Sequence, residues 1–201
     1  LPVLPNASAE SGVLALRPDG RQLAYVGRDG RVRWLELTPD AEPVEPGIGR
    51  RVSRMAYSPD CNRIAVLGDS WIEVWSVLPP ALVRRFSPGS APSAVCWIGE
   101  GRRLALGCRN GEVAILDVDS GNTIQLSGHT QHVSMVRASP DGDVIASHGW
   151  DATSRLWDAA TGRQLMIATH GLASGFDRSG AHLAFHREDM GFGIWEFQPG
   201  E

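Results

Sequence analysis

The feature that most constrains this chain is that it repeats itself. The stretches RVRWLEL, WIEVWSV, EVAILDV, TSRLWDA and FGIWEF bring one position into register, held by Leu35, Trp75, Leu116, Trp157 and Trp195. It returns about every 40 residues. Upstream of it stands a polar turn residue, Asp29, Asp69, Asn110, Asp151 or Asp189. Further upstream an aliphatic-Ala pair recurs as Leu23-Ala24, Ile64-Ala65, Leu104-Ala105, Ile145-Ala146 and Leu183-Ala184. A tight turn precedes each pair, as in Pro18-Asp19-Gly20, Pro59-Asp60-Cys61, Gly99-Glu100-Gly101, Pro140-Asp141-Gly142 and Arg178-Ser179-Gly180.

Each recurring element has a mechanical reason. Proline fixes φ for the first central position of a turn, and Asp followed by Gly tolerates the reversal. An Ala beside an aliphatic lets sheets approach closely. An Asp or Asn before the last strand accepts backbone N–H groups in a tight turn. The short runs between turns are rich in β-branched and aromatic residues and read as strands. Innermost strands are expected near 12–16, 52–57, 93–98, 133–138 and 172–176, second strands near 22–26, 62–67, 102–107, 143–148 and 181–186. Third strands follow near 31–37, 71–77, 112–118, 153–158 and 191–197, outer strands near 42–45, 82–86, 122–126 and 163–168. No segment has helical periodicity.

The fourth copy is the fullest. Between Gly128 and Asp158 it holds Gly128-His129, the turn Ser139-Pro140-Asp141-Gly142, the strand Ile145-Ala146-Ser147 and a closing Leu156-Trp157-Asp158. This segment resembles a WD40 repeat, the unit of a β-propeller blade. The resemblance implies an all-β fold, a β-propeller of five four-stranded blades spanning residues 1–201. Its repeats fall at approximately 1–38, 39–78, 79–119, 120–160 and 161–201. The chain stops after a third strand and begins with Leu1-Pro2-Val3-Leu4-Pro5, which could supply the missing outer strand and close a five-bladed ring. Both prolines suit an edge. The competing expectation is a segment of a larger propeller, because propellers of this type most often have about seven blades. The first residue is Leu, which reads as a chain cut from something longer.

Composition narrows the function classes. A net charge of −4 argues against non-specific nucleic-acid binding, which needs a basic face. No apolar run approaches the roughly 20 residues of a membrane-spanning helix. All 19 basic residues are Arg, which removes lysine-based chemistry and suggests a GC-rich, bacterial coding genome. Cys61, Cys96 and Cys108 show no CxxC spacing and are expected to be reduced thiols. The expected compartment is the cytoplasm.

In the family that the chain resembles, the His of Gly-His, a strand Ser or Thr, the turn Asp and the Trp form a buried hydrogen-bonded tetrad. The resemblance carries this over only to His129, Ser147, Asp151 and Trp157. The positions matching Ser147 elsewhere are Tyr25, Val66, Leu106 and Phe185, so units one to three are expected to be held mainly by apolar packing. His129, Ser147 and Asp151 are also the residue types of a hydrolytic triad, but no nucleophile elbow accompanies them. His129, His132, His148, His170 and His186 fall near loops on one rim without metal-ligand spacing, so no metal or cofactor is expected. Candidate protein-binding residues are Trp150, Arg28, Arg109 and Arg187, one in each of four second-to-third-strand loops. Trp and Arg are the types enriched at interface hot spots. The competing reading has Trp150 capping a neighbouring blade and the arginines solvated.

The expected role is therefore a non-catalytic protein–protein interaction scaffold, binding a protein or peptide through its loop-bearing face. The alternative is a propeller enzyme or small-ligand binder using the central channel. The inner-strand starts, such as Val52-Ser53, Ser93-Ala94 and Val133-Ser134, are small or apolar and disfavour it. A third possibility is an architectural part of a multidomain sensor.

Overall fold

The columns of the repeat are cross-strand partners. In a computed structural model describing residues 13–49, 51–169, 171–187 and 191–196, the aliphatic of each aliphatic-Ala pair faces the residue at the Trp position. Leu23 stands opposite Leu35, Ile64 opposite Trp75 and Leu104 opposite Leu116. Ile145 stands opposite Trp157, and Leu183 opposite Trp195. The described residues form 18 strands and no helix, so the chain is all-β.

The chain divides after Pro92 into two compact units. The first unit holds two sheets. β1 (Leu14–Leu16), β2 (Gln22–Val26) and β3 (Val32–Glu36) make the first, while β4 (Arg54–Tyr57), β5 (Arg63–Leu67), β6 (Ile72–Ser76) and β7 (Ala81–Phe86) make the second. The second unit holds three. β8 (Pro92–Ile98), β9 (Arg103–Cys108), β10 (Val113–Asp117) and β11 (Thr123–Leu126) form the third sheet. β12 (Val133–Ala138), β13 (Val144–Gly149), β14 (Thr153–Asp158) and β15 (Gln164–Thr169) form the fourth. β16 (Gly171–Phe176), β17 (His182–Arg187) and β18 (Gly191–Glu196) form the fifth. Every sheet is an antiparallel meander in sequence order.

Among the described residues, two sheets have three strands rather than the four expected of every blade. In the first, the outer strand expected at 42–45 shrinks to a single bridge between Trp34 and Val44. Pro46, two residues beyond Val44, has no N–H to carry the ladder further on that side. In the fifth, no described strand lies beyond β18. The Leu1–Pro5 segment expected to complete a blade lies outside the described residues.

Apolar cores lie between successive sheets within each unit. Val26, Val32 and Trp34 of the first sheet cluster with Met55, Tyr57 and Val66 of the second. Ala105, Val113 and Ile115 of the third pack with Val133, Val136 and Trp157 of the fourth. Ala146 and Leu156 of the fourth pack with Ala173 and Leu183 of the fifth. Each fully buried Leu or Ile in these layers contributes about 1.5–3 kcal/mol of hydrophobic stabilisation. The alanines of the repeat set the spacing: Ala24, Ala65, Ala105 and Ala146 have no exposed surface. Polar bonds add to the first core, where Tyr57 Oη donates to Gln22 Oε1 at 2.7 Å and Gln22 donates to Glu36 at 2.7 Å.

Candidate functional site

The loop 128–132 and the turn between β13 and β14 converge at one end of the fourth sheet. The buried Ser147 hydroxyl on β13 accepts the Trp157 indole N–H at 2.8 Å and lies 2.8 Å from His129 Nε2. His129 Nδ1 in turn sits 2.9 Å from Asp151 Oδ2. With one proton on each donor, the order is indole to hydroxyl, hydroxyl to Nε2, and Nδ1–H to carboxylate. Asp151 also accepts the N–H of Thr130 at 3.0 Å and the hydroxyl of Thr153 at 2.8 Å. Burial alone would raise the Asp151 pKa, but the Thr130 amide, the Thr153 hydroxyl and His129 outweigh it and hold it down at about 2. Burial pushes His129 below its ordinary value, against the pull of Asp151. The pair is thus a neutral imidazole on an ionised carboxylate. Ser147 has no exposed surface, so no substrate reaches its oxygen. Geometrically the four groups satisfy one another, as burial requires of polar atoms.

Above this network sits Trp150. Its backbone N–H donates to the His132 carbonyl at 2.8 Å, and its ring packs on the His132 imidazole with centroids 4.4 Å apart. The rest of the indole is in solvent, at 67% exposure. Beside the loop lies the β9–β10 turn carrying Arg109. The backbone of its Gly111 approaches so closely that a Cβ there would stand 2.7 Å from the His129 carbonyl oxygen. Trp150, His132 and the exposed Arg109 therefore share one edge of the second unit. The other two candidates belong to other elements. Arg28 belongs to the β2–β3 turn of the first unit. Arg187, expected in a loop, is instead the last residue of β17 and pairs with Gly171, because β17 runs one residue beyond its expected end; its side chain is outside the described residues.

Known families match where this geometry is fullest. The WD domain, G-beta repeat, matches residues 121–158, and the anaphase-promoting complex subunit 4 WD40 domain matches residues 55–137. Together they run over more than half of the 201 residues. The chain belongs to the WD40-repeat family. It is 29% identical to Protein groucho of Drosophila melanogaster over 146 residues, covering 72% of this chain and 18% of that protein. It is 28% identical to Protein HIR1 of Cryptococcus neoformans, covering 76% of this chain and 22% of that one. Against mitotic checkpoint protein bub-3 of Caenorhabditis elegans it is 32% identical over 68 residues, covering 34% of this chain and 20% of that one. The chain thus spans about a fifth of the length of these relatives.

The other WD40 sheets lack the tetrad, and two of them add charged or polar pairs to the apolar packing that holds them. In the second sheet Val66 replaces the serine, and the Trp75 indole donates instead to the buried Glu73 at 2.8 Å. Arg85 on β7 closes the same carboxylate. In the first sheet the turn Asp29 receives the fork of Arg33, at 2.9 and 2.7 Å, where Asp151 receives a histidine. That fork, aided by the Arg31 amide, holds Asp29 far below the ordinary carboxylate range. Arg33 also reaches Glu45 at 2.7 Å. In the fifth sheet Phe185 stacks on Trp195 at 4.5 Å, in room left by Gly193. Glu73 was invisible to a search for tetrad residues. Its signal was a lone carboxylate inside the apolar run Ile72–Trp75, with Arg84-Arg85 on the next strand.

The remaining histidines do not converge. His148 Nδ1 lies 3.0 Å from Ser154 Oγ, His182 pairs with Asp177 at 3.1 Å, and His186 meets the Phe192 ring edge-on at 5.2 Å. His170 is outside the described residues. Among the described residues no group of three or more His, Cys, Asp or Glu is placed to hold a metal ion. Hydroxyls at the inner-strand starts are taken up by backbone carbonyls, Ser53 by Leu67 and Ser93 by Gly107 and Val133.

Proposed function

We propose that this WD40 chain is a non-catalytic protein–protein interaction scaffold, and that Trp150, with His132 and Arg109 beside it, contacts the partner. The observation that carries this reading is an indole with 67% of its surface in solvent, held by its own amide and by an imidazole packed against it at a tilt. A large amphipathic ring already held in one conformation loses little entropy when a partner covers it, and Trp and Arg are the usual anchors of hot spots. The non-catalytic part is supported by the inaccessible Ser147 oxygen and by the backbone-bonded inner-strand hydroxyls. A protein or peptide is the favoured partner class, since a net charge of −4 disfavours non-specific binding to nucleic acid. Arg28 and Arg187 are secondary contacts in this reading.

The test is affinity capture with the wild type, Trp150→Ala and Val83→Ala, the last removing an exposed apolar side chain from β7. Binding proteins quantified by mass spectrometry should fall at least roughly tenfold with Trp150→Ala, equivalent to about 1.4 kcal/mol. They should be retained by Val83→Ala. Full recovery on a Trp150→Ala protein with native circular dichroism would remove Trp150 from the interface.

A further inference from the structure

In sequence, the join between the first two sheets aligns with the join between the third and fourth at one constant offset. Arg31-Val32 falls on Glu112-Val113, Glu45 on Leu126 and Gly47-Ile48 on Gly128-His129. The later join is filled. Leu126, at 1% exposure, stands opposite Val113 and shares a core with it. A Cβ on Gly111 would press into the His129 carbonyl, and one on Gly128 would stand 3.0 Å from the Trp157 ring. The earlier join is open. A Cβ on Gly30 or Gly47 would meet nothing within 4 Å. Glu45 stands where the later join has its buried leucine, and its carboxylate turns to Arg31 at 2.9 Å and Arg33 at 2.7 Å.

The result is a cavity of about 320 Å³ lined by Arg31, Val32, Glu45, Gly47, Ile48 and Gly49, all of the first unit. Val32 and Ile48 are buried members of the first core, while the other four are exposed. The groups around this apolar patch still have bonds to give. A guanidinium carries several donors and a carboxylate several acceptor sites, and Arg31 and Glu45 spend only some of them on each other. The amides of Gly47, Ile48 and Gly49 donate to no backbone carbonyl among the described residues. Asp29, Arg33, Glu45 and Arg31 form one linked set in which the charges balance, so the rim suits a neutral polar group better than an ion. A peptide bond is such a group, with one N–H for Glu45 and one C=O for Arg31 or a glycine amide. The volume lies at the lower end of ligand pockets, about 300–1,000 Å³, which is room for one large apolar side chain with the peptide bonds beside it.

We propose that this cavity seats a leucine- or phenylalanine-sized side chain of an extended peptide segment of a protein partner, with Arg31 and Glu45 holding the peptide bonds on either side. The guest side chain covers Val32 as Leu126 covers Val113 in the later join. Main-chain bonds then supply affinity and the cavity supplies specificity, as in other extended-peptide sites. The proposal rests on the reading of the chain as a scaffold, but it needs nothing of Trp150, which belongs to the second unit.

Blocked alanine pentapeptides with Leu, Phe or Gly at the centre, titrated into the isotope-labelled full chain and followed by NMR, test it. The Leu or Phe peptide should shift the amides of Val32, Gly47, Ile48 and Gly49 saturably. The Gly peptide should bind at least roughly tenfold more weakly, because it leaves the apolar patch uncovered. Arg31→Ala removes a rim donor, and Glu45→Leu supplies a leucine where the third sheet has one. Both positions are exposed, so both variants should keep the wild-type circular dichroism while binding the Leu and Phe peptides at least roughly tenfold more weakly. Trp150→Ala should bind these peptides as the wild type does, whatever its effect on captured partners, so the two readings fail separately. Absence of saturable shifts at those amides, equal binding of the three peptides, or variants that bind like the wild type would overturn the proposal. Equal binding of isocaproate and hydrocinnamate, which carry the same side chains on a carboxylate without a peptide bond, would overturn it as well.

Discussion

Asp151 is the residue through which acidity reaches the fourth sheet. Its carboxyl titrates at about 2 in the fold against 3.8 for the free side chain. A group held low binds fewer protons folded than unfolded, so its contribution is complete above about pH 4 and is lost as the pH falls toward 2. The shift corresponds to about 2 kcal/mol. His129 is also depressed, by burial first, so its contribution has the same sign: complete above about pH 6.5 and declining below it as the unfolded chain takes up the proton. Asp151→Asn should therefore be less stable than the wild type by about 2 kcal/mol at pH 7, with the gap closing toward pH 2. Urea unfolding at a series of pH values measures it, and a gap independent of pH would uncouple the carboxylate from the fold. His129, Ser147, Asp151 and Trp157 were legible because a repeated motif marks them. Thr153, which adds a hydroxyl to Asp151, was not, since a strand threonine looks like any β-former until its partner is in place.

At the scale of elements, the β9–β10 turn shows how a repeated position acquires an unrepeated constraint. Gly30 and Gly111 both follow the turn Asp or Asn and both have positive φ, +77° and +93°. A Cβ on Gly30 would meet nothing within 4 Å, while one on Gly111 would press into the His129 carbonyl at 2.7 Å. Gly30→Ala should cost about 1 kcal/mol, from the left-handed backbone alone. Gly111→Ala should cost about 1–3 kcal/mol more and shift the loop beneath Trp150, seen as a changed tryptophan fluorescence spectrum. Equal costs would mean the loop moves aside freely. The strands themselves were legible because hydrophobic columns at a fixed repeat are, physically, the rungs of antiparallel ladders. The outer strand of the first sheet was overread, since its composition is strand-like but Pro46 removes a donor that a longer ladder would need. The Glu73–Arg85 pairing was hidden for another reason: which exposed-looking arginine reaches an internal carboxylate depends on the register of β6 against β7, which places Glu73 opposite Arg85.

At the scale of the whole molecule, stability follows from which sheets have neighbours on both faces. In arrays where each repeat contacts only the next, the stability of a repeat is its own plus that of its interfaces. Within the second unit the fourth sheet packs on both the third and the fifth. The fifth packs on the fourth and leaves Phe192 and Ile194 in solvent. Native-state hydrogen exchange should therefore be slowest in β13 and β14, and fastest, among the sheets of this unit, in β16–β18. The join between the fourth and fifth sheets depends on Ser154, whose hydroxyl bridges the Gly171 carbonyl and the Ala173 amide in a site with 1% exposure. Ser154→Ala leaves both backbone groups buried without that partner, at a cost of about 1–3 kcal/mol. That loss should fall on the fifth sheet and accelerate exchange of β16–β18 by roughly ten- to a hundredfold. Exchange in β5 and β6, which share no hydrogen bond or core cluster with it, should be unchanged. If those strands accelerated equally, the molecule would be opening as one cooperative block, and the additive picture of sheet on neighbouring sheet would fail for this chain.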